Sequence, residues 1–156
     1  MNDTEQNDLL TQLRRRKPFD RMDEEHMRWL TGRMQLVTFP AGTPVLRPAV
    51  PIEALYFIRT GLIEIEAMGS ASDDKKVLAE LAEGETFPLE ALEEKRPVFS
   101  TFRAQGETTC YRLTLENFNE LKRISSVFSD FCKYRSASFL EQSRRVYRLH
   151  FSHQSE

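Results

Sequence analysis

The sequence is short of the residues that metal and redox chemistry draws on. Its 156 residues hold three histidines and two cysteines. His26, His150 and His153 all fall in stretches that read as helical, outside the strand-like middle of the chain. A metalloenzyme on a β-barrel fold needs clustered His and carboxylate ligands on its strands, and none can gather here. Cys110 and Cys132 lie far apart, in no CxxC and beside no histidine, which excludes a zinc site. GxSxG, P-loop and Cys/His nucleophile patterns are missing as well. The sequence therefore points to no catalytic residue, no metal and no cofactor. Lysine and arginine number 22 against 24 acids, a net charge of -2. Nucleic-acid binders carry a basic excess, so no nucleic-acid partner is expected. No apolar run is long enough to span a bilayer and the N-terminus is polar and acidic, so neither a membrane nor a signal peptide is expected. Two free, buried thiols fit a reducing cytoplasm.

What is present is globular. Hydrophobic residues make up 40% and charged residues 29%, and eleven phenylalanines supply bulk for a core. The length suits one domain, 1–156, which divides by pattern into a helical lead-in over 1–36, a β-region over 37–113 and C-terminal helices over 114–156. Leu9, Leu10 and Leu13 recur at helical spacing. Asp23 can cap a second helix with Glu24 and Glu25 in its first turn and Met27, Leu30 and Met34 on one face. Arg14 to Lys17, just before Pro18, reads as a solvated helix end rather than a phosphate patch. From Val37 the chain breaks into short runs bounded by Gly or Pro, among them ALYFI, LIEIEAM, KVLAEL, FSTFRA and TCYRL. In Leu62 to Glu66, Ile63 and Ile65 share one face and the two glutamates the other. Short, evenly spaced strands of this kind make a β-sandwich or barrel. GSASDDKK reads as a hairpin tip. LENFNELKR is a short helix, and Ser129 or Asp130 can cap a longer one running from about Phe131 to His150.

This order of elements, and the residues within it, resemble the cyclic-nucleotide-binding domain family from about Pro18 to Arg135. PFDRMDEEHMRWL looks like that family's lead-in helix, FPAGTPV like its second-strand turn, and ALYFIRTGLIEI like its most specific strand–turn–strand. VLAELAEGETF resembles the strand entering the binding cassette, and STFRAQGETTCYRL the pair that follows. Gly42, Gly61 and Gly84 sit where tight turns between strands favour positive φ. The resemblance implies a mainly β fold with flanking helices: a cupin-like β-roll, or jelly roll, with N-terminal helices and a long C-terminal helix. It also implies a regulatory, ligand-sensing role in signal transduction. FPLEALEEKRPVFSTFRA and DFCKYRSASFLEQSRR look like a bacterial subgroup in which the domain precedes CBS modules and a nucleotidyltransferase region. On that likeness, and because the sequence stops inside a helical pattern, the chain is expected to be an excised N-terminal domain.

In the resembled family a short helix points its N-terminus at the ligand phosphate, a carboxylate holds the ribose hydroxyl and an arginine pairs with the cyclic phosphate. Aligned from Gly84, Pro88 stands at a usual glycine and Leu89 at the ribose carboxylate. Aligned back from Arg103, Val98 stands at the phosphate arginine. Leu89 and Val98 can supply neither contact, so the usual cyclic-nucleotide determinants read as lost. Glu90 and Arg96 are near enough in sequence to substitute. Ser100, Thr101, Arg96 and Arg103 are the polar candidates for a ligand site, and Phe87, Leu89 and Phe99 its apolar lining. The implied ligand is a nucleotide or other small anion. An empty pocket serving as an interaction or dimerisation scaffold is the alternative.

Phe128, Cys132, Arg135, Phe139, Gln142, Val146 and Leu149 follow alternating steps of four and three, a heptad seam with polar members. Its first half is expected to cover the β-region's own core. Its second half is expected to meet a partner helix, giving a homodimer.

Overall fold

The computed structural model describes residues 1–67 and 76–137. Two helices open the chain: α1 (Asp3–Leu13) and α2 (Glu24–Thr31). Between them lie a cis Lys17–Pro18 peptide and a 3-10 turn, Phe19–Arg21. Leu9, Leu13, Met27 and Leu30 are almost wholly inaccessible, so the helical spacing read from the sequence marks the faces that bury. Two details differ. The Asp23 side chain makes no capping hydrogen bond to α2. Arg14 and Arg16 do not simply end α1 in water. Arg14 Nη1 donates to the carbonyls of Phe19 (2.7 Å) and Met22 (2.6 Å), and Arg16 Nη2 donates to the carbonyl of Glu83 (3.1 Å). The turn after α1 brings the carbonyls of Phe19 and Met22 back over the helix end, where Arg14 satisfies them, while Arg16 reaches the turn before β6.

Eight strands follow among the described residues: β1 (Gln35–Phe39), β2 (Pro44–Leu46), β3 (Ala54–Thr60), β4 (Ile63–Glu66), β5 (Val77–Leu81), β6 (Thr86–Phe87), β7 (Phe102–Ala104) and β8 (Thr108–Thr114). They form two antiparallel sheets, ordered β1-β8-β3-β6 and β2-β7-β4-β5. The fold is thus mainly β with flanking helices, the expected β-roll. Every residue from Ala54 to Ile58 is buried, so β3 is the spine of the first sheet. The hairpin tip expected at GSASDDKK falls almost wholly outside the described residues, although β4 and β5 pair on either side of it.

The turn at Gly61, φ 106°, needs glycine twice over. A Cβ there would lie 2.6 Å from the Thr108 hydroxyl oxygen, and the backbone is left-handed. Thr108 Oγ1 in turn donates to the Leu62 carbonyl at 3.2 Å, closing the turn onto β8.

After β8 come α4 (Leu115–Ile124) and a further helix, α5, described over 126–137. α5 begins earlier than the sequence suggests, because its cap is Ser125 rather than Ser129 or Asp130. The Phe128 amide donates to Ser125 Oγ at 3.2 Å, and Ser125 is 2% exposed. Phe128 and Cys132 pack into the core, as expected of the seam's first half, with Phe128 against Phe19 and Phe118. Phe139, Gln142, Val146, Leu149, His150 and His153 lie outside the described residues.

Candidate functional site

The segment from Gly84 to Arg103 leaves the first sheet at β6 and returns to the second at β7. Between them sits α3 (Leu89–Glu93), with Pro88 at its N-cap position and no side-chain cap bond. Five residues give little macrodipole, so this helix end offers an anion less than a full helix would. Leu89, Ala91 and Leu92 are all buried, and they hold α3 against the body. Leu89 is 4% exposed and Val98 5%, and both are members of the hydrophobic core.

The space between the sheets is filled by rings. Phe39 meets Tyr56 edge-on at 5.7 Å, Tyr56 stacks on Phe87 at 5.3 Å, and Phe87 stacks on Phe102 at 5.6 Å. This column crosses from β1 through β3 and β6 to β7. Of its four members the sequence reading placed only Phe87 at the site. Alternation along Phe102-Arg103-Ala104 carries the signal for Phe102, since Ala104 is a core residue two positions away.

The same alternation turns Arg103 outward. Its partner across β4 is Glu64, whereas Phe102 and Ala104 pair with Ile65 and Ile63 on the core face. On the outer face Arg103 reaches diagonally to Glu66, Nε to Oε1 at 2.5 Å, and Nη1 donates to the Gly42 carbonyl at 2.9 Å. Glu66 is only 7% exposed, so it is not the solvated residue its alternation suggests. Arg103 covers it. Arg103, itself on β7, thereby ties β4 to the turn before β2 from outside the roll.

The remaining polar candidates are also engaged or peripheral. Glu90 faces Arg135 of α5 at 3.4 Å. Arg96 pairs with Glu94 at 2.8 Å, donates to the Pro97 carbonyl at 3.1 Å and lies 4.4 Å from the centre of the Phe99 ring. Phe99 itself is 58% exposed, a surface residue rather than part of an enclosed lining. Ser100 and Thr101 are half-buried in the loop leading into β7. The structure therefore brings Phe87, Leu89 and Val98 into the core, and it leaves Glu90, Arg96, Phe99 and Arg103 on the rim or outside.

The family model described as the cyclic nucleotide-binding domain matches residues 36–124, more than half of the chain. The chain belongs to the cyclic nucleotide-binding domain family. No curated protein matches it. Among solved structures it is similar to the sensor domain of the transcriptional regulator DNR from Pseudomonas aeruginosa, at 18% identity and a TM-score of 0.74. That match covers 90% of this chain and 93% of that one. It is also similar to the regulatory domain of Toxoplasma gondii PKA crystallised with cAMP, at 22% identity and a TM-score of 0.73, covering 90% and 52% of the two chains. A third likeness is to the regulatory subunit of a cAMP-independent protein kinase A from Trypanosoma brucei, at 16% identity and a TM-score of 0.71, covering 85% and 47%. The chain thus spans about half the length of the kinase regulatory chains it matches.

Among the described residues no group of three His, Cys, Asp or Glu side chains is placed to hold a metal, and no helix is long and apolar enough to cross a membrane. Cys110 and Cys132 are both free thiols, 0% exposed. Burial pushes each up to about 12, where a thiol at neutral pH is protonated and unreactive.

Proposed function

We propose that the chain is a non-catalytic regulatory domain whose cyclic-nucleotide pocket has closed, so that neither cyclic AMP nor cyclic GMP is its ligand. The observation that carries this reading is the burial of Leu89 and Val98. The resemblance puts the ribose carboxylate and the phosphate arginine at these two positions, and both are apolar core residues at 5% exposure or less. Glu90 and Arg96 do not substitute, because each already faces a partner of opposite charge. A cyclic phosphate placed between the sheets would meet aromatic rings and no cation, and burying an unpaired anion is strongly unfavourable. The reading also suits a family in which the Trypanosoma brucei relative is described as cAMP-independent.

Isothermal calorimetry on the 156-residue chain with cyclic AMP and cyclic GMP tests this. No heat of binding at micromolar concentrations is the expected result, and a low-micromolar dissociation constant for either nucleotide overturns it. The ring column favours one second reading, a domain that binds nothing between its sheets and serves as an interaction scaffold.

The finer context is proposed on the same footing. Residues 1–156 are one domain, with 1–36 as lead-in, 37–113 as β-roll and 114–156 as C-terminal helices. In this reading it is the N-terminal part of a longer cytoplasmic signalling protein with CBS modules and a nucleotidyltransferase region. The second half of the seam, Phe139 to Leu149, pairs two copies. Sedimentation equilibrium at high micromolar concentration checks the pairing, and a mass fixed at the 18.2 kDa monomer refutes it.

A further inference from the structure

Outside the β-roll, Ala91 and Leu92 of α3 border a cleft of about 510 Å3 that runs between α3, α4 and the loop before β3. Clefts of about 300–1,000 Å3 take small organic ligands. Its floor is apolar: Ile52 and Leu92 are buried beneath it, and Leu115 at its edge is 37% exposed. Two of its lining residues are cations and none is an acid. Arg96 is taken by Glu94, but the ammonium of Lys95 has no hydrogen-bond or ion-pair partner among the described residues. Lys95 ends α3 with φ 56°, a left-handed turn that carries the chain past the mouth of the cleft. Asn119, on the opposite wall, makes no side-chain hydrogen bond among the described residues. An apolar floor with one uncommitted cation and one uncommitted amide at the rim is complementary to a molecule with an apolar body and a single anionic end.

We infer that the cleft between α3 and α4 is a binding site for a small amphipathic carboxylate, its apolar body against Ile52, Leu92 and Leu115 and its carboxylate on the Lys95 ammonium. The site is separate from the space between the sheets. It is therefore open to a ligand whether or not that space is. An occupant presses on α3 from outside, so the site gives the domain an input that does not depend on cyclic nucleotide. That regulatory consequence rests on the reading given under Proposed function, and the binding itself does not.

The test is an amide NMR titration of the 156-residue chain with octanoate, using octan-1-ol and octylamine as probes of the same chain length. Octanoate is expected to give saturable shifts at residues 91–97 and 115–119, with octylamine binding more weakly. Losing a hydrogen bond to a charged group weakens binding by about tenfold or more. Lys95→Asn, which tolerates the left-handed backbone, and Lys95→Glu should each weaken octanoate by that factor while leaving octan-1-ol unchanged. Octanoate shifts located elsewhere, octylamine binding as tightly as octanoate, or octanoate affinity unaltered in both variants overturns the inference. These outcomes are independent of the cyclic-nucleotide calorimetry, so either conclusion can fail alone.

Discussion

Removing the ring at Phe87 tests whether the space between the sheets is a packed interior. Phe87 is 2% exposed and is the middle of the column, with Tyr56 on one side at 5.3 Å and Phe102 on the other at 5.6 Å. Phe87→Ala deletes a whole buried side chain and leaves a cavity that β3 and β7 cannot close, because both are fixed in register by their neighbours. The expected cost is about 3–5 kcal/mol. Two aromatic contacts account for about 1–3 kcal/mol of it, at about 0.5–1.5 each. Phe87→Leu keeps most of the volume and loses the rings' mutual contact, so its cost should approach that smaller part. Phe99→Ala is the control: its ring is 58% exposed and lies beneath the Arg96 guanidinium, so the loss should stay under about 1 kcal/mol. Urea unfolding with an unchanged slope measures all three. A Phe87→Ala cost below about 1 kcal/mol, or one no larger than that of Phe99→Ala, would mean that the rings line an open pocket and that the closed-site reading is wrong.

Four more expectations follow from burial and capping. Ile63 is 0% exposed on the core face of β4, so Ile63→Ala should cost about 2–5 kcal/mol in the same unfolding assay. Ser125→Ala removes the oxygen that accepts from the Phe128 amide and should lower stability by about 1 kcal/mol, seen as a drop in Tm. Burial pushes the Cys110 and Cys132 thiols from the ordinary value of 9.0 up to about 12 in the folded chain. The native state therefore keeps protons that the unfolded chain releases, and stability should decline as pH rises from about 9 toward 12. Under native conditions at pH 8, a disulfide reagent should modify neither thiol until denaturant is added, and immediate modification of either would contradict its burial.

The long strands were legible because turn glycines bound them: β3 is an unbroken apolar run, buried throughout from Ala54 to Ile58, and in β4 the alternation puts Ile63 fully in the core and Ile65 half-buried. β6 was not, since two residues are too few for a period of two to register, and β2, Pro44-Val45-Leu46, is apolar throughout and shows no alternation. The start of α5 was misplaced for a different reason. Only Ser125 separates it from α4, and Ser129 and Asp130, good capping residues by type, lie inside the helix. At the site, alignment placed Leu89 and Val98 at the family's polar positions, and their apolar character agrees with their burial. It could not orient Arg103, whose direction follows from its register opposite Glu64. Nor could it show that Arg14 would meet the carbonyls of Phe19 and Met22, because that contact depends on how the turn after α1 folds back.

α3 is the element on which these readings converge. Five residues cannot sustain a helix alone, since nucleation costs more than so few hydrogen bonds return. Its position is therefore imposed by what it touches. Inward it is held by Leu89, Ala91 and Leu92. Toward α4 it is held by Glu93 and Lys122, whose side chains are 13% and 21% exposed. Toward α5 it is held by Glu90 and Arg135, and here Arg135 is 49% exposed. An ion pair this open contributes little, about 0–1 kcal/mol, and salt screens it further. The better-buried pair is worth more, so α4 follows a displacement of α3 more firmly than Arg135 can. α5 then moves through packing, because Phe128 is wedged against Phe118 of α4 at 5.7 Å. Any signal that shifts α3, from the cleft or from the roll, thus reaches α5 first through apolar contact and only weakly through charge.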